Sequence, residues 1–353
     1  MNSHSEAWSL VRDLQQPRPA IFWTDLLLSA AAGWAGFAIV LFSKPFSAGM
    51  WLGFVVATCA LYRGLCFVHE ISHMRRSHLR GFETTWNMLI GVPLLMPSFV
   101  YVGVHSSHHS LTSYGTDQDP EYLPFANSHW MTIVFAAHSV LIPVALLLRF
   151  LVIAPVGLLW PQLHQWLVVH ASSLSMNPRY RRENSVALTA AIRRWELVIL
   201  LAWLTAAAIL WRYDLGWKAL VAWCGISACA SLANALRTLG AHHYESTGAP
   251  LDRAGQILDS IDTPGAVWTA LWAPVGLRYH ALHHYFPGIP YHNLGMAYRR
   301  LVSNLPGESA YQELTSPSLP ASLRRLYQAG KEAYSRKQGV EPEAQPRLRS
   351  SGN

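Results

Sequence analysis

LYRGLCFVHEISHMRRSHLR, residues 61–80, closes an apolar run with a pair of histidines, His69 and His73, and then carries Arg75, Arg76 and Arg80. That run reaches back to Met50, and from Met50 to Val68 only Arg63 interrupts it. Its length suits a membrane span, which needs about 20 apolar residues. Thr24 to Phe42 has the same character, and Ser43 to Gly49 between the two runs is long enough only for a hairpin turn. Two crossings return the chain to its starting side just before His69. The arginines that follow mark that side as cytoplasmic, because cytoplasmic loops hold the excess of positive charge. HEISH is thus predicted at the cytoplasmic end of a helical hairpin.

Composition agrees with a bilayer. Of 353 residues 51% are hydrophobic and 13% charged, against about a quarter charged in an average soluble domain. Apolar runs through the first two-thirds leave no room there for an independent soluble core. The net charge of +7 does not point to nucleic acid, since the arginines flank apolar runs instead of forming one basic stripe; anionic lipid headgroups are the expected partners. Cys59, Cys66, Cys224 and Cys229 lie inside apolar segments without a CxxC pair and read as buried thiols. Residues 1–20 are polar, with Glu6, Arg12 and Asp13, and lack the apolar core of a cleavable signal peptide.

A second hairpin is predicted from Glu196 to Leu210 and from Trp217 to Leu236, preceded by Arg179, Arg181, Arg182, Arg193 and Arg194 on the cytoplasmic side. Trp86 to Val104 and Trp130 to Leu174 are apolar but broken by Pro93, Pro97, Pro143, Pro155 and Pro161. If the histidine clusters at their ends meet, each segment crosses an even number of times or not at all. Trp86 to Val104 is too short for two crossings at 1.5 Å per residue and reads as interfacial or re-entrant. Trp130 to Leu174 reads as a tight helical hairpin or an interfacial stretch, because His138, Arg149, His164 and His170 make a lipid-facing span costly. The expected fold is all-α: an integral-membrane helical bundle of four to six spans, occupying residues 21–336, with a cytosolic helical cap over approximately 237–336 and a disordered tail over 337–353.

Three motifs carry chemistry: HEISH with His69 and His73, HSSHH with His105, His108 and His109, and HALHH with His280, His283 and His284. On a helix, positions i, i+3 and i+4 share a face, so each motif fans its imidazoles one way. A lone histidine in a polar loop is usually just solvated. Eight imidazoles from three segments on one predicted membrane side are better explained by two metal ions than by one, which needs only a few ligands.

HEISH after a hairpin, HSSHH about thirty residues on and HALHH after a second hairpin together resemble the membrane fatty acid desaturase family, the histidine-box di-iron enzymes of bacterial type, from roughly Leu61 to Leu301. The resemblance implies two iron ions held by eight or nine histidines. The extra ligand would lie between the last span and the third box, where His242, with His243 beside it, fills the place. Some members also carry an asparagine four residues before that histidine; here Asn234 stands eight before it, and the role is not transferred. Implied too are O2 as co-substrate, two electrons from an external ferredoxin, rubredoxin or cytochrome, and oxygen-dependent desaturation of a fatty acyl lipid or acyl thioester, with hydroxylases, acetylenases and carotenoid ketolases as alternatives on such a site. Iron suits this chemistry, whereas zinc has no redox chemistry. A carrier could dock at Arg75, Arg76, Arg278, Arg299 and Arg300, although headgroup anchoring explains these equally.

Carboxylates that would orient ligand rings are expected among Glu70, Asp117, Asp119, Glu121, Asp259 and Asp262, while for any single one a cap or a solvated charge is the plainer reading. His292 lines the site or bonds within the cap. Trp51, Trp86, Trp268 and Trp272 are candidate walls of an acyl groove, or members of an interfacial belt. Two other classes compete. HEISH matches HExxH, which would make His69 and His73 zinc ligands and Glu70 the base of a protease, leaving two boxes idle. A haem carrier would need histidines facing one another within spans.

Overall fold

The computed structural model describes residues 2–74, 78–305 and 309–338. Arg75, Arg76 and the predicted tail beyond residue 338 lie outside them; Lys337 closes a helix. Among the described residues there is no strand, only isolated bridges such as His242 with Ser260 and Asp262 with Tyr279. The expected all-α membrane bundle is the architecture observed, with five helices among the described residues long and apolar enough to cross a membrane.

The first hairpin pairs Pro19–Phe42 with Ala48–His73. Proline in the first turn starts one helix, and the Ser47 hydroxyl caps the other by accepting from the Met50 backbone N–H at 3.3 Å. Their backbones touch where Gly36 meets Gly53: a Cβ on either would lie 2.8 Å from the other's carbonyl oxygen. Only glycine permits that approach. Arg63, the one charge in its apolar run, donates from Nε and Nη2 to the two carboxylate oxygens of Asp25 at 2.7 and 2.5 Å. Outward-facing Leu28, Leu52, Leu204 and Val221 leave the bundle apolar outside as well as in, as hydrocarbon demands.

Val186–Arg212 and Gly216–Leu239 form the second hairpin. The first of these starts ten residues before the expected Glu196. Arg193 and Arg194 ended the apolar run but not the helix, which begins at the Ser185 cap because arginine is a good helix former.

Trp86 to Val104 forms no span. It breaks at its prolines and wedges into the bundle, with Trp86, Ile90 and Leu95 fully buried. Indole N–H groups of Trp34, Trp203 and Trp223 donate to the carbonyls of Leu89, Val92 and Pro93 at 2.8, 3.1 and 2.9 Å. Those bonds satisfy the backbone that the prolines leave open inside an apolar layer. The fifth apolar helix, Ile142–Leu159, is answered by Pro161–His170, which packs back along it until Ala171 accepts from Arg149 Nε at 2.7 Å. Residues 139 and 142 and residues 174–176 wall one cavity with His69. The excursion therefore ends on the side where it began.

Short helices cover that side: His105–His108, Arg253–Asp259, His280–Tyr285, Tyr291–Asn304 and Leu319–Lys337. The N-terminal helix Asn2–Val11 packs on them, with Ala7, Val11 and Leu14 against Leu282, Phe286 and Ala297. Asn293 Nδ2 donates to the Leu14 carbonyl at 2.7 Å and Arg300 pairs with Asp13 at 2.6 Å. Tyr291 ties this layer to the spans: its hydroxyl donates to Asp25 at 2.8 Å and its N–H to Glu70 at 2.9 Å.

Candidate metal centre

His69 and His73 stand one turn apart at the end of Ala48–His73. His105 and His108 belong to a single-turn helix that His109 caps. His242 follows Gly216–Leu239 by three residues, and its strand-like pairing with Ser260 fixes it. His280, His283 and His284 share the helix His280–Tyr285.

All nine converge, eight of them in two groups of four. His69, His73, His105 and His283 form one, and His108, His242, His280 and His284 the other; within each, one ring nitrogen per residue lies within 4.8 Å of the rest. His109 sits between, its Nε2 at 3.0 Å from His105 Nε2 and 3.2 Å from His283 Nε2, its ring stacked on His284. His243 joins neither group; it is half-buried and its backbone N–H bonds to the Asp259 carbonyl.

The donor set fits cations. His108 Nδ1 meets both Asp119 oxygens at 3.0 Å, and His105 Nδ1 meets Glu121 Oε1 at 2.5 Å. His242 Nδ1 donates to the Tyr114 hydroxyl, which donates in turn to Asp259, each at 2.9 Å. These partners hold the proton on Nδ1, leaving each Nε2 a lone pair. Yet Nε2 atoms face each other at 2.8 Å between His242 and His280 and at 3.0 Å between His73 and His283. Both ring nitrogens of His69 are buried without any hydrogen-bond partner. Lone pairs aimed at one another from buried rings are satisfied by a metal ion between them.

Protonation is suppressed in the same way. Burial, then neighbouring imidazoles, holds His105, His109, His280, His283 and His284 well below the ordinary imidazole range. Burial also opposes charge on His108, but Asp119, Glu121 and Asp259 together raise that ring. Burial pushes Glu121 up to about 7.

The plainer reading of the acidic residues is corrected at three of them. Asp119, Glu121 and Asp259 are buried or nearly so and bonded to the histidine array. Asp262 holds the third box by its backbone, accepting from Leu282 N–H at 3.1 Å and from the Tyr311 hydroxyl at 2.7 Å. Asp117 is exposed and reaches no histidine. His292 accepts from the Arg18 N–H at 3.1 Å, a bond within the outer layer. None of the four tryptophans offered as groove walls lines the cavity at His69; Trp86 is a core residue bonded to Gly64, and Trp51 and Trp268 face outward. Tyr101, Tyr114, Tyr122 and Arg237 are further site residues, and no spacing rule flags the last three. Tyr101 alone had a signal, one helical turn before His105, and its hydroxyl donates to Glu121 at 3.1 Å.

A model of the family described as "Fatty acid desaturase" matches residues 45–315. The chain belongs to the fatty acid desaturase family. Within that family it is 38% identical to a ceramide hydroxylase of Caulobacter vibrioides over 327 residues, covering 91% of this chain and 92% of the relative. It is also 33% identical to an acyl-lipid (9+3)-(E)-desaturase of Dimorphotheca sinuata over 82 residues, 23% of this chain and 21% of that one. This desaturase-family chain is thus an oxidoreductase by kinship, and its histidine clusters supply the means. The protease reading would leave the other two boxes idle, whereas His69 and His73 converge with His105 and His283 of those boxes.

Proposed function

We propose that the chain oxidises an unactivated C–H bond in the hydrocarbon chain of a membrane lipid, using O2 and two irons held by His69, His73, His105, His108, His109, His242, His280, His283 and His284. The observation that carries this reading is the pair of converging imidazole clusters, buried beside a cavity of about 160 Å³ lined by Leu65, Val68, Phe135 and Ile142. Bound iron would supply the activation of dioxygen that no side chain can perform.

The protein's own groups orient and insulate. Asp119, Glu121 and the Tyr114–Asp259 pair fix ring tautomers, burial keeps bulk water from the histidines, and Glu121 can hold a proton between His105 and the cavity. Hydroxylation balances as C–H, O2, two electrons and two protons giving C–OH and one water. Desaturation balances as CH2–CH2 with the same reagents giving CH=CH and two waters. Both begin with one C–H cleavage. The family and the plant relative support the alkene product expected from the sequence, and the Caulobacter relative supports the alcohol on a ceramide; the two outcomes stand level. The electrons come from an external ferredoxin, rubredoxin or cytochrome, and the site faces the cytoplasmic side of the cell membrane.

Lipid analysis of cells expressing the chain, with and without His283→Ala, tests the reading. A new double bond or hydroxyl that disappears in the variant, together with iron in the purified protein, is expected. Unaltered lipids, or zinc in place of iron, would overturn it.

A further inference from the structure

The C-terminal helix Leu319–Lys337 buries one face: Ser322, Leu326 and Gly330 turn inward, and a Cβ on Gly330 would meet the His129 backbone nitrogen at 2.5 Å. Helical spacing leaves two charged edges beside that face. On one, Arg325 lies among the charges of Asp259 and Glu245, and Arg336 stands 4.0 Å from Glu332. On the other, Arg324, Tyr327, Lys331 and Tyr334 follow at i, i+3, i+7 and i+10, so cation and aromatic alternate along one stripe with no acid in it. Arg324 and Lys331 are exposed, and among the described residues neither forms an ion pair or a hydrogen bond. A solvated edge mixes its charges, as the first edge does.

The stripe lies at the rim of the bundle. Tyr327 and Tyr334 pack edge to face with His129, at 5.3 and 5.5 Å between ring centroids, and the next residue, Trp130, is 56% exposed. The helix His129–Ser139 then turns Ile133 and Val134 outward, while its other side gives Phe135 and Ser139 to the cavity at His69, before the apolar helix Ile142–Leu159 begins. His129–Ser139 therefore starts where the outer layer meets hydrocarbon, and the stripe runs beside that start. Tyrosine and tryptophan rings concentrate at this level of a bilayer, and arginine and lysine there extend their heads to the phosphates.

We propose that Arg324 and Lys331, set beside Tyr327, Tyr334 and Trp130, bind the phosphate groups of anionic phospholipids in the leaflet on the side of the metal centre. The contact goes beyond the proposed reaction and needs neither metal nor turnover. Because Gly330 is braced on His129, it also fixes the helix that walls the cavity against the bilayer surface.

Hydrogen exchange of residues 319–337 in the full chain, held in nanodiscs of phosphatidylcholine with or without phosphatidylglycerol, tests the proposal. Phosphatidylglycerol should slow exchange there by about 25-fold, because each basic residue at an anionic surface shifts an equilibrium by about fivefold. High salt should abolish most of that difference. Arg324→Gln combined with Lys331→Gln should remove the lipid effect yet exchange in phosphatidylcholine as the wild type does, whereas Arg336→Gln, on the paired edge, should keep most of it. Native mass spectrometry of the wild type released from membranes should show phosphatidylglycerol retained in preference to phosphatidylcholine. Equal exchange in the two bilayers, a lipid effect that survives high salt, or one that persists in the double variant would overturn the proposal. If the double variant exchanges faster than the wild type in phosphatidylcholine, the salt dependence of the wild type decides alone. Slowing by an acidic ferredoxin added to phosphatidylcholine discs, with none from phosphatidylglycerol, would assign the stripe to the electron carrier instead.

Discussion

Asp119 is completely buried, and its two oxygens accept from His108 Nδ1, from Gly115 N–H and from Glu121 N–H. Asp119→Asn would put an NH2 against one of those donors and weaken the hold on His108. Loss of such an orienting partner lowers metal affinity by about 10- to 100-fold. Metal quantitation after dialysis against a mild chelator should therefore fall towards one ion per chain in the variant; retention of two would show that His108 needs no such support. Asp262 makes a pH prediction. Burial raises it from 3.8 to about 7, so between those values the folded state binds more protons than the unfolded one, and stability falls as pH rises. The fall is complete near pH 7, with an upper bound of about 4 kcal/mol. Asp262→Asn mimics the protonated form, and its apparent Tm should fall less steeply over that range than the wild type's, with Glu121 supplying part of the slope that remains; a slope as steep as the wild type's would exclude Asp262 as a source. At this scale the boxes were legible because i, i+3 and i+4 spacing is a local code. Asp119 lies 11 residues from its ring, and was at least a candidate. Tyr114, which joins His242 to an aspartate 145 residues away, has no local signature.

Among the elements, both hairpins could be read from apolar length, but the excursion between Ile142 and His170 could not be resolved. Arg149 and His164 argued against a span there, and the residue that reconciles them is Glu196 on another helix. Glu196 accepts from Arg149 Nη2 at 2.6 Å and from His164 Nε2 at 3.0 Å, all three buried. Hydropathy sees each of them as a penalty, since it does not know that 47 and 32 residues of separation close into one cluster. Glu196→Ala should cost about 3–5 kcal/mol, because it strands a buried guanidinium. Thermal denaturation of the purified protein reads this as a lowered apparent Tm, and Glu196→Leu combined with Arg149→Met should recover much of it. An unchanged Tm in the single variant would mean that water reaches Arg149.

For the whole molecule, the nine histidines come from four stretches of chain: the end of the first hairpin, the turn at residues 105–109, the segment after the second hairpin, and the helix His280–Tyr285. Apolar spans pack through their own side chains, and the layer above them meets the bundle through Val275, Leu277, Tyr291 and Leu326 as well as through the site itself. Metal binding would tie these four stretches together, and a ligand held only by the folded state adds about 4 kcal/mol at a thousandfold excess over its Kd. For a chain of this size that corresponds to an apparent Tm shift of about 5 °C. Stripping the purified protein with a chelator should lower Tm by that order, and ferrous iron should restore it. Magnesium should not, because it prefers oxygen ligands to imidazole. His283→Ala, which removes a ligand contacting both His73 and His109, should show a smaller shift. A Tm that ignores chelator and iron alike would mean that the histidine array is preformed by packing alone and that metal plays no part in holding the outer layer to the bundle.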